Sequence, residues 1–181
     1  SRGLGDVYKR QRMEWLVETL LKMSRIDAGA VSFREESCRA ADIIRRAVQP
    51  LAVPMELRGI TLETAAGEEC FTGDAAWSAE ALGNVLKNCM EHAASYIRVS
   101  ARETALFTEI TVQDDGPGFR AEDLPRLFER FYRGKDAAPA SVGIGLALAR
   151  RVLSAQNGTI RADNACPGGA LFTLRWYRST V

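Results

Sequence analysis

The stretch Asp114-Asp115-Gly116-Pro117-Gly118-Phe119 closes the run Thr108-Glu109-Ile110-Thr111-Val112-Gln113. The run alternates loosely, with Phe107, Glu109, Ile110, Val112 and Gln113 around its apolar members, but β-branched residues dominate and predict a strand. Gly116 and Gly118 flank a proline, which forces a sharp turn and brings bare backbone close to whatever lies above it. A carboxylate at the mouth of such a turn can accept a hydrogen bond from a neutral amine, such as the exocyclic amine of adenine. The same four residues also mark ordinary surface turns, so the stretch needs company before it means more.

Three other stretches supply it. Upstream, Asn84-Val85-Leu86-Lys87-Asn88-Cys89-Met90-Glu91-His92 places two amides at i, i+4 on one helix face, with His92 four further on. Downstream stand Leu127-Phe128-Glu129-Arg130-Phe131-Tyr132-Arg133-Gly134 and then Gly143-Ile144-Gly145-Leu146-Ala147-Leu148-Ala149-Arg150. In order and spacing these resemble the N box, first glycine box, F box and second glycine box of sensor histidine kinases. That family belongs to a wider ATPase class with gyrase, the heat-shock chaperone and the mismatch-repair proteins. The resemblance runs from about Trp15 to the C-terminus.

Composition sets bounds on the alternatives. The chain has 181 residues, 46% hydrophobic and 26% charged, enough for one globular domain of ordinary size and a short appendage. A formal net charge of +1 gives no ground for nucleic-acid binding. No apolar run approaches the ~18 residues of a membrane span, and no signal peptide is visible, so no membrane contact is expected of these residues. Cys38, Cys70, Cys89 and Cys166 are scattered without a C-x-x-C pair, which points to small apolar residues rather than a zinc site.

Along the chain, Ser1 to about Arg10 has no period and reads as a leader foreign to the rest of the sequence. From Arg12 to Ala28 the pattern is helical, with Met13, Leu16, Leu20 and Met23 at coiled-coil spacing and Gly29 as its stop. Two heptads do not hold an isolated helix, so the stripe asks for a partner or for its own domain. Val31–Glu35 reads as a first strand, then Ala40–Leu57 as a helix whose second half is threatened by Pro50 and Pro54, with Pro54 kinking or ending it. Ile60–Thr64 and Cys70–Thr72 are short strands, and Asp74 is an N-cap for a long helix over Ala75–Ala93. Tyr96–Ser100 and Leu106–Gln113 form a strand pair. A helix near Ala121–Phe128, a loop from about Tyr132 to Val142, a helix over Ile144–Gln156 and strands at Thr159–Asp163 and Ala170–Tyr177 complete the chain. Grouped helices and mostly antiparallel strands predict an α+β, two-layer sandwich, one mixed sheet covered on one face by helices and preceded by a short N-terminal helix. The resemblance sharpens this to the ATP-binding sandwich of the same ATPase class. It divides the chain into a leader over residues 1–10, the end of a dimerisation hairpin's second helix over 11–29, and a catalytic ATP-binding domain over 30–181.

The resemblance also assigns roles. Mg²⁺ takes hard oxygen ligands, and Asn88 becomes its protein ligand without adding negative charge beside a triphosphate. Asn84, one turn earlier, organises water or phosphate and shares a catalytic role with Arg130. Asp114 reads the adenine amine, whereas Asp115 fills a slot that is commonly asparagine. Gly116 and Gly118 admit the nucleotide. Gly143, Ile144, Gly145 and Leu146 open a helix whose first amides and dipole suit a phosphate chain. The same glycines lack the spacing of a dinucleotide fingerprint or a P-loop, and protein-kinase signatures around H-R-D are absent. Phe128 and Phe131 anchor a mobile lid over the nucleotide, and Tyr132 beside them in the F box joins the nucleotide-binding set. Arg130 and Arg133 approach the γ-phosphate, with Lys135 a weaker candidate. His92 contacts phosphate as a hydrogen-bond donor.

Two positions depart from the family. Glu91 stands where many members carry a lysine that reaches the phosphates, so it should point away or pair with Arg130 or Lys87. The connection Ala93-Ala94-Ser95 is several residues shorter than the usual polar loop. The implied function is a Mg·ATP-binding kinase domain that phosphorylates a histidine on a dimerisation hairpin, from which the group passes to a response-regulator receiver domain. The parent would be a homodimer, attached to a membrane with this domain on the cytoplasmic side. The single histidine, His92, lies on the nucleotide-binding helix, so the phosphoacceptor is not among these residues. An anti-sigma serine kinase and a non-catalytic nucleotide sensor of the same fold remain alternatives.

Overall fold

The computed structural model describes residues 2–134 and 143–180. Its first element is one long helix, α1 (Arg2–Asp27). The helix therefore runs unbroken through the stretch read as a leader, where residues 2–10 are exposed. It ends where Gly29, at φ 66°, donates to the Ile26 carbonyl and Ala30 donates to that of Arg25. The predicted stripe is divided between two faces. Met23 is buried and Leu16 packs on the core, together with Trp15, Ile26 and Thr19, while Met13 and Leu20 face solvent beside Val17 and Leu21. The helix thus lies on its own domain by one side only.

β1 (Glu36–Arg39) replaces the strand expected at Val31–Glu35. It pairs antiparallel with β3 (Cys70–Gly73), and that distant pairing sets its register. The predicted helix over Ala40–Leu57 is two helices, α2 (Ala40–Val48) and α3 (Ala52–Leu57), joined by a 3₁₀ turn at Gln49–Leu51. The break falls at Pro50 instead of Pro54. Pro54 lies in the first turn of α3, where no N–H is required.

The main sheet has the order β2-β4-β5-β7-β6. Its strands are β2 (Thr61–Ala65), β4 (Tyr96–Glu103), β5 (Phe107–Asp114), β6 (Gly158–Asn164) and β7 (Ala170–Tyr177). Only the β2–β4 pair is parallel. One face carries Ile97, Val99, Ile110, Val112, Phe172, Leu174 and Trp176, all buried, and is covered by α2, α4 (Ala75–His92) and α5 (Gly145–Ala155). The other presents Arg98, Ser100, Arg102, Thr111, Thr173 and Arg175 in facing rows, so one face is apolar and one wetted, as an antiparallel sheet allows. The architecture is the predicted α+β sandwich.

Two details fix α4, on which the site is built. Asp74 accepts from the Trp77 amide at 3.0 Å through one oxygen and from the Arg34 amide at 2.9 Å through the other. Its N-cap role, expected from sequence, also anchors the segment before β1. Leu82, Val85, Leu86 and Cys89 are fully buried against the sheet and α5, which turns the neighbouring stripe of α4 toward one cavity. The helix predicted near Ala121–Phe128 shrinks to a 3₁₀ turn at Leu124–Arg126, with Pro125 in its first positions.

Candidate functional site

The cavity lies between α4 and the start of α5. Asn84, Lys87, Asn88, Glu91 and His92 form the α4 wall. Gly143, Ile144, Gly145 and Leu146 form the opposite end, where α5 begins with no side-chain cap on its N-terminal amides. The turn after β5 supplies Pro117, Gly118 and Phe119; Tyr132 and Arg133 close a further side. Trp15, reaching over from α1, completes the wall.

Polar atoms in and beside this space are left without protein partners. Asn84 Nδ2, Asn88 Oδ1 and Asp114 Oδ2 are buried and unpaired, three of four such side-chain atoms among the described residues. Each orphan costs roughly 1–3 kcal/mol if nothing satisfies it. Such atoms gather where a ligand is meant to complete them. Asn88 Oδ1 is a neutral hard oxygen, the donor type that Mg²⁺ accepts together with waters and phosphates. No group of three His, Cys, Asp or Glu suited to a metal occurs among the described residues, and a magnesium bound mainly through phosphate needs none.

Asp114 lies beneath the turn rather than in the cavity wall. Its Oδ1 accepts from the Gly116 amide at 2.9 Å and the Ala170 amide at 3.1 Å, which fixes the carboxylate and leaves Oδ2 open. Gly116 is required by space: a Cβ there would stand 2.2 Å from the His92 carbonyl oxygen. Gly143, at φ 73°, would bring a Cβ to 2.2 Å from the Tyr132 carbonyl oxygen. At Gly145 a Cβ would meet only Asn84 at 3.6 Å, an ordinary contact.

Asp115, assigned little by sequence, clamps the short connection after α4. Its carboxylate accepts from the amides of Ala94, Ser95 and Tyr96, each at 3.0 Å, and from the Ser95 hydroxyl at 2.7 Å. The Ser95 amide, against an opposing effect of burial and with help from the Ser95 hydroxyl and the Tyr96 and Ala94 amides, holds the Asp115 pKa down to about 2 from 3.8. A depressed pKa stabilises the fold fully above the unfolded value, and that contribution fades as pH falls from about 4 toward 2. Asp115→Asn is therefore expected to destabilise the domain at pH 7 by about 1 kcal/mol, since solvent screens so exposed a carboxylate. The deficit should shrink at pH 2.5. Urea titrations at both pH values check this; an equal deficit at both would mean that the charge is irrelevant.

The F-box residues separate. Tyr132 lines the cavity, its hydroxyl donating to Asp123 and its ring lying 4.3 Å under the Arg126 guanidinium. Phe128 packs edge-on against Phe172 at 6.4 Å, part of the core, while Phe131 is 56% exposed with φ 62°. Arg130 is placed away from the cavity. It pairs with Asp27 at the end of α1, and Asp27 also accepts from Arg151 Nε at 2.8 Å. Arg130, Arg150 and Arg151 line a second hollow with Met23, Phe128 and Ser154. Arg130 and then Arg151 hold the Asp27 carboxyl below its usual range. Arg133 lines the first cavity, and Lys135 lies outside the described residues.

Glu91 and Lys87 share one wall, a helical turn apart. Burial pulls the Lys87 ammonium below its ordinary range and the Glu91 charge opposes that shift. Arg130, the other partner considered for Glu91, is engaged by Asp27. Sequence reasoning gave Lys87 only this pairing role and passed over Trp15 and Asp123. The spacing of Lys87 from Glu91 was a usable signal for the first; no local pattern marks Trp15, because its place depends on how α1 docks.

The family described as histidine kinase-, DNA gyrase B-, and HSP90-like ATPase matches residues 73–180, which hold α4, both glycine turns and the start of α5. The chain belongs to this family. Among curated proteins it is 37% identical over 176 residues to the two-component sensor PhoQ of Pseudomonas aeruginosa, covering 97% of this chain and 33% of that protein. It is 33% identical over 171 residues to the signal transduction histidine-protein kinase AfsQ2 of Streptomyces coelicolor, covering 93% and 31%. This ATPase domain thus spans about a third of the length of the curated relatives it matches. A solved structure of the Acinetobacter baumannii histidine kinase AdeS superposes with TM-score 0.82 at 18% identity, over 96% of this chain and 82% of that one. Full-length ShkA, solved in complex with AMPPNP, superposes with TM-score 0.77 at 20% identity, over 92% and 36%. In fold the chain matches these solved histidine kinases, and the curated relatives it resembles are a two-component sensor and a histidine-protein kinase.

Proposed function

We propose that this domain binds Mg·ATP and transfers the γ-phosphoryl group to a histidine on a dimerisation hairpin supplied from outside these residues. The observation that carries this is the set of buried, unpartnered atoms on Asn84, Asn88 and Asp114, which a magnesium nucleotide would satisfy together. Asp114 Oδ2 would accept from the adenine amine. Asn88 Oδ1 would hold the metal, which when bound supplies positive charge to the β- and γ-phosphate oxygens. Asn84 Nδ2 would donate to phosphate or to a metal-bound water. The open amides of α5, with the positive end of its dipole, would receive the phosphate chain. The protein's contribution is position and charge stabilisation. The bond between the γ-phosphorus and its bridging oxygen breaks, a phosphorus–nitrogen bond forms on the incoming imidazole, and ADP leaves.

His92 is not that acceptor in this scheme. Its side chain lines the cavity one turn beyond Asn88, along the phosphate chain, whereas in-line transfer needs the nitrogen opposite the leaving oxygen. Further along the pathway, the group passes to a receiver-domain aspartate of a response regulator. The parent protein is a homodimer anchored at a membrane with this domain on the cytoplasmic side. Among the described residues, no helix is long and apolar enough to cross a membrane.

The test is phosphotransfer. Incubated with γ-labelled ATP and magnesium, the chain is expected to gain no acid-labile, base-stable label, and a hairpin supplied in trans to gain it. Asn88→Ala should weaken Mg·ATP binding more than binding of metal-free ADP, because it removes a metal ligand and spares the adenine contact. Label on this chain that vanishes in His92→Gln would overturn the scheme, as would equal weakening of both nucleotides for the role of Asn88.

A further inference from the structure

We propose that Lys87, sheltered under the Trp15 ring, is the cation that meets the nucleotide's phosphate tail in this chain. The proposal rests on the nucleotide-binding function above and adds a ligand to that site. Lys87 lies on α4 directly before Asn88, and both line the cavity that the phosphates would enter. Its Nζ stands 3.9 Å from the centre of the Trp15 ring, a cation–π contact that fixes the direction of an otherwise floppy chain. Among the described residues, no carboxylate is in ion-pair contact with Lys87, although Lys22 and ten arginines are so paired. A half-buried ammonium satisfied only by a ring face is an incomplete site for an anion.

Glu91 makes sense beside it. The two side chains are a helical turn apart on the same wall, i, i+4, with the carboxylate on the C-terminal side. The cation needed at the phosphates then comes from one turn earlier on the helix than Glu91. Trp15 belongs to α1, so the placement of Lys87 depends on that helix being docked. Trp15 is a positioning residue and Lys87 the contact.

Calorimetry with the whole chain separates the possibilities. Lys87→Gln is expected to lower Mg·ATP affinity about five- to tenfold, as for loss of a charge-assisted hydrogen bond, and to leave adenosine affinity unchanged. Lys87→Arg should recover most of the loss. Trp15→Ala should lower Mg·ATP affinity by a larger factor in the parent than in Lys87→Gln. Unchanged ATP affinity in Lys87→Gln overturns the proposal, as does an equal fall for ATP and adenosine, which would mark a structural role. Failure of the parent chain to bind either compound would instead count against nucleotide binding itself.

Discussion

Asp114→Asn is expected to lower ATP affinity by about tenfold or more while the domain stays folded. The carboxylate is pinned by two backbone amides on Oδ1, from Gly116 and Ala170. An asparagine can keep that oxygen in place, which preserves the turn and sends its Nδ2 to the position of the free Oδ2. An acceptor then becomes a donor facing the adenine amine. Two donors opposed in a buried site leave both unsatisfied, at roughly 1–3 kcal/mol. Binding should therefore fall for ATP, ADP and adenosine alike, in contrast to the phosphate-dependent effect expected at Lys87. Equal affinity in parent and variant would remove Asp114 from base recognition.

Trp176→Ala should bring the largest loss of stability, about 3–5 kcal/mol for an aromatic side chain removed from a packed core. Trp176 is 1% exposed and stacks on Phe71 with ring centres 4.1 Å apart and planes 17° apart. Phe71 belongs to β3, in the small sheet, and Trp176 to β7, in the large one. This stack fastens the two sheets together. Its indole N–H has no partner, so Trp176→Phe keeps the stack and removes a buried orphan. That variant should lose less than about 1.5 kcal/mol. Urea denaturation of both is the check; if alanine costs no more than phenylalanine, the sheets are held elsewhere.

Much of the cavity was legible because its residues come from contiguous motifs. Asn84, Asn88 and His92 share a stripe of one helix, and Gly143 opens another, so local periodicity already brings them near one another. The Asp74 cap and the limits of β7 were likewise local matters. What could not be read depends on partners far along the chain. β1 shifted from Val31–Glu35 to Glu36–Arg39 because Cys70–Gly73 selects its register. Arg130 looked like a phosphate ligand in its motif, yet an acid more than a hundred positions earlier, Asp27, takes it. Pro54 looked like a helix breaker, but a proline in a first turn breaks nothing. Phe128 and Phe131 look equivalent in sequence; one is held against Phe172 and the other is turned outward by its left-handed backbone.

The neck between Phe131 and Gly143 sets a rule for how this family member can change. The Phe131 amide donates to the Gly143 carbonyl at 2.8 Å, and next to this bond Arg130 is tied through Asp27 to Arg151 on α5. Phe131 and Gly143, twelve positions apart in sequence, are thereby held side by side. Loop-closure entropy grows only with the logarithm of length, so doubling the segment beyond the neck costs about 0.6 kcal/mol. Insertions and deletions there are nearly silent in folding free energy. Chain length between these two positions is thus cheap to change, whereas Tyr132 and Arg133, just past the neck, belong to the cavity wall and are held to it.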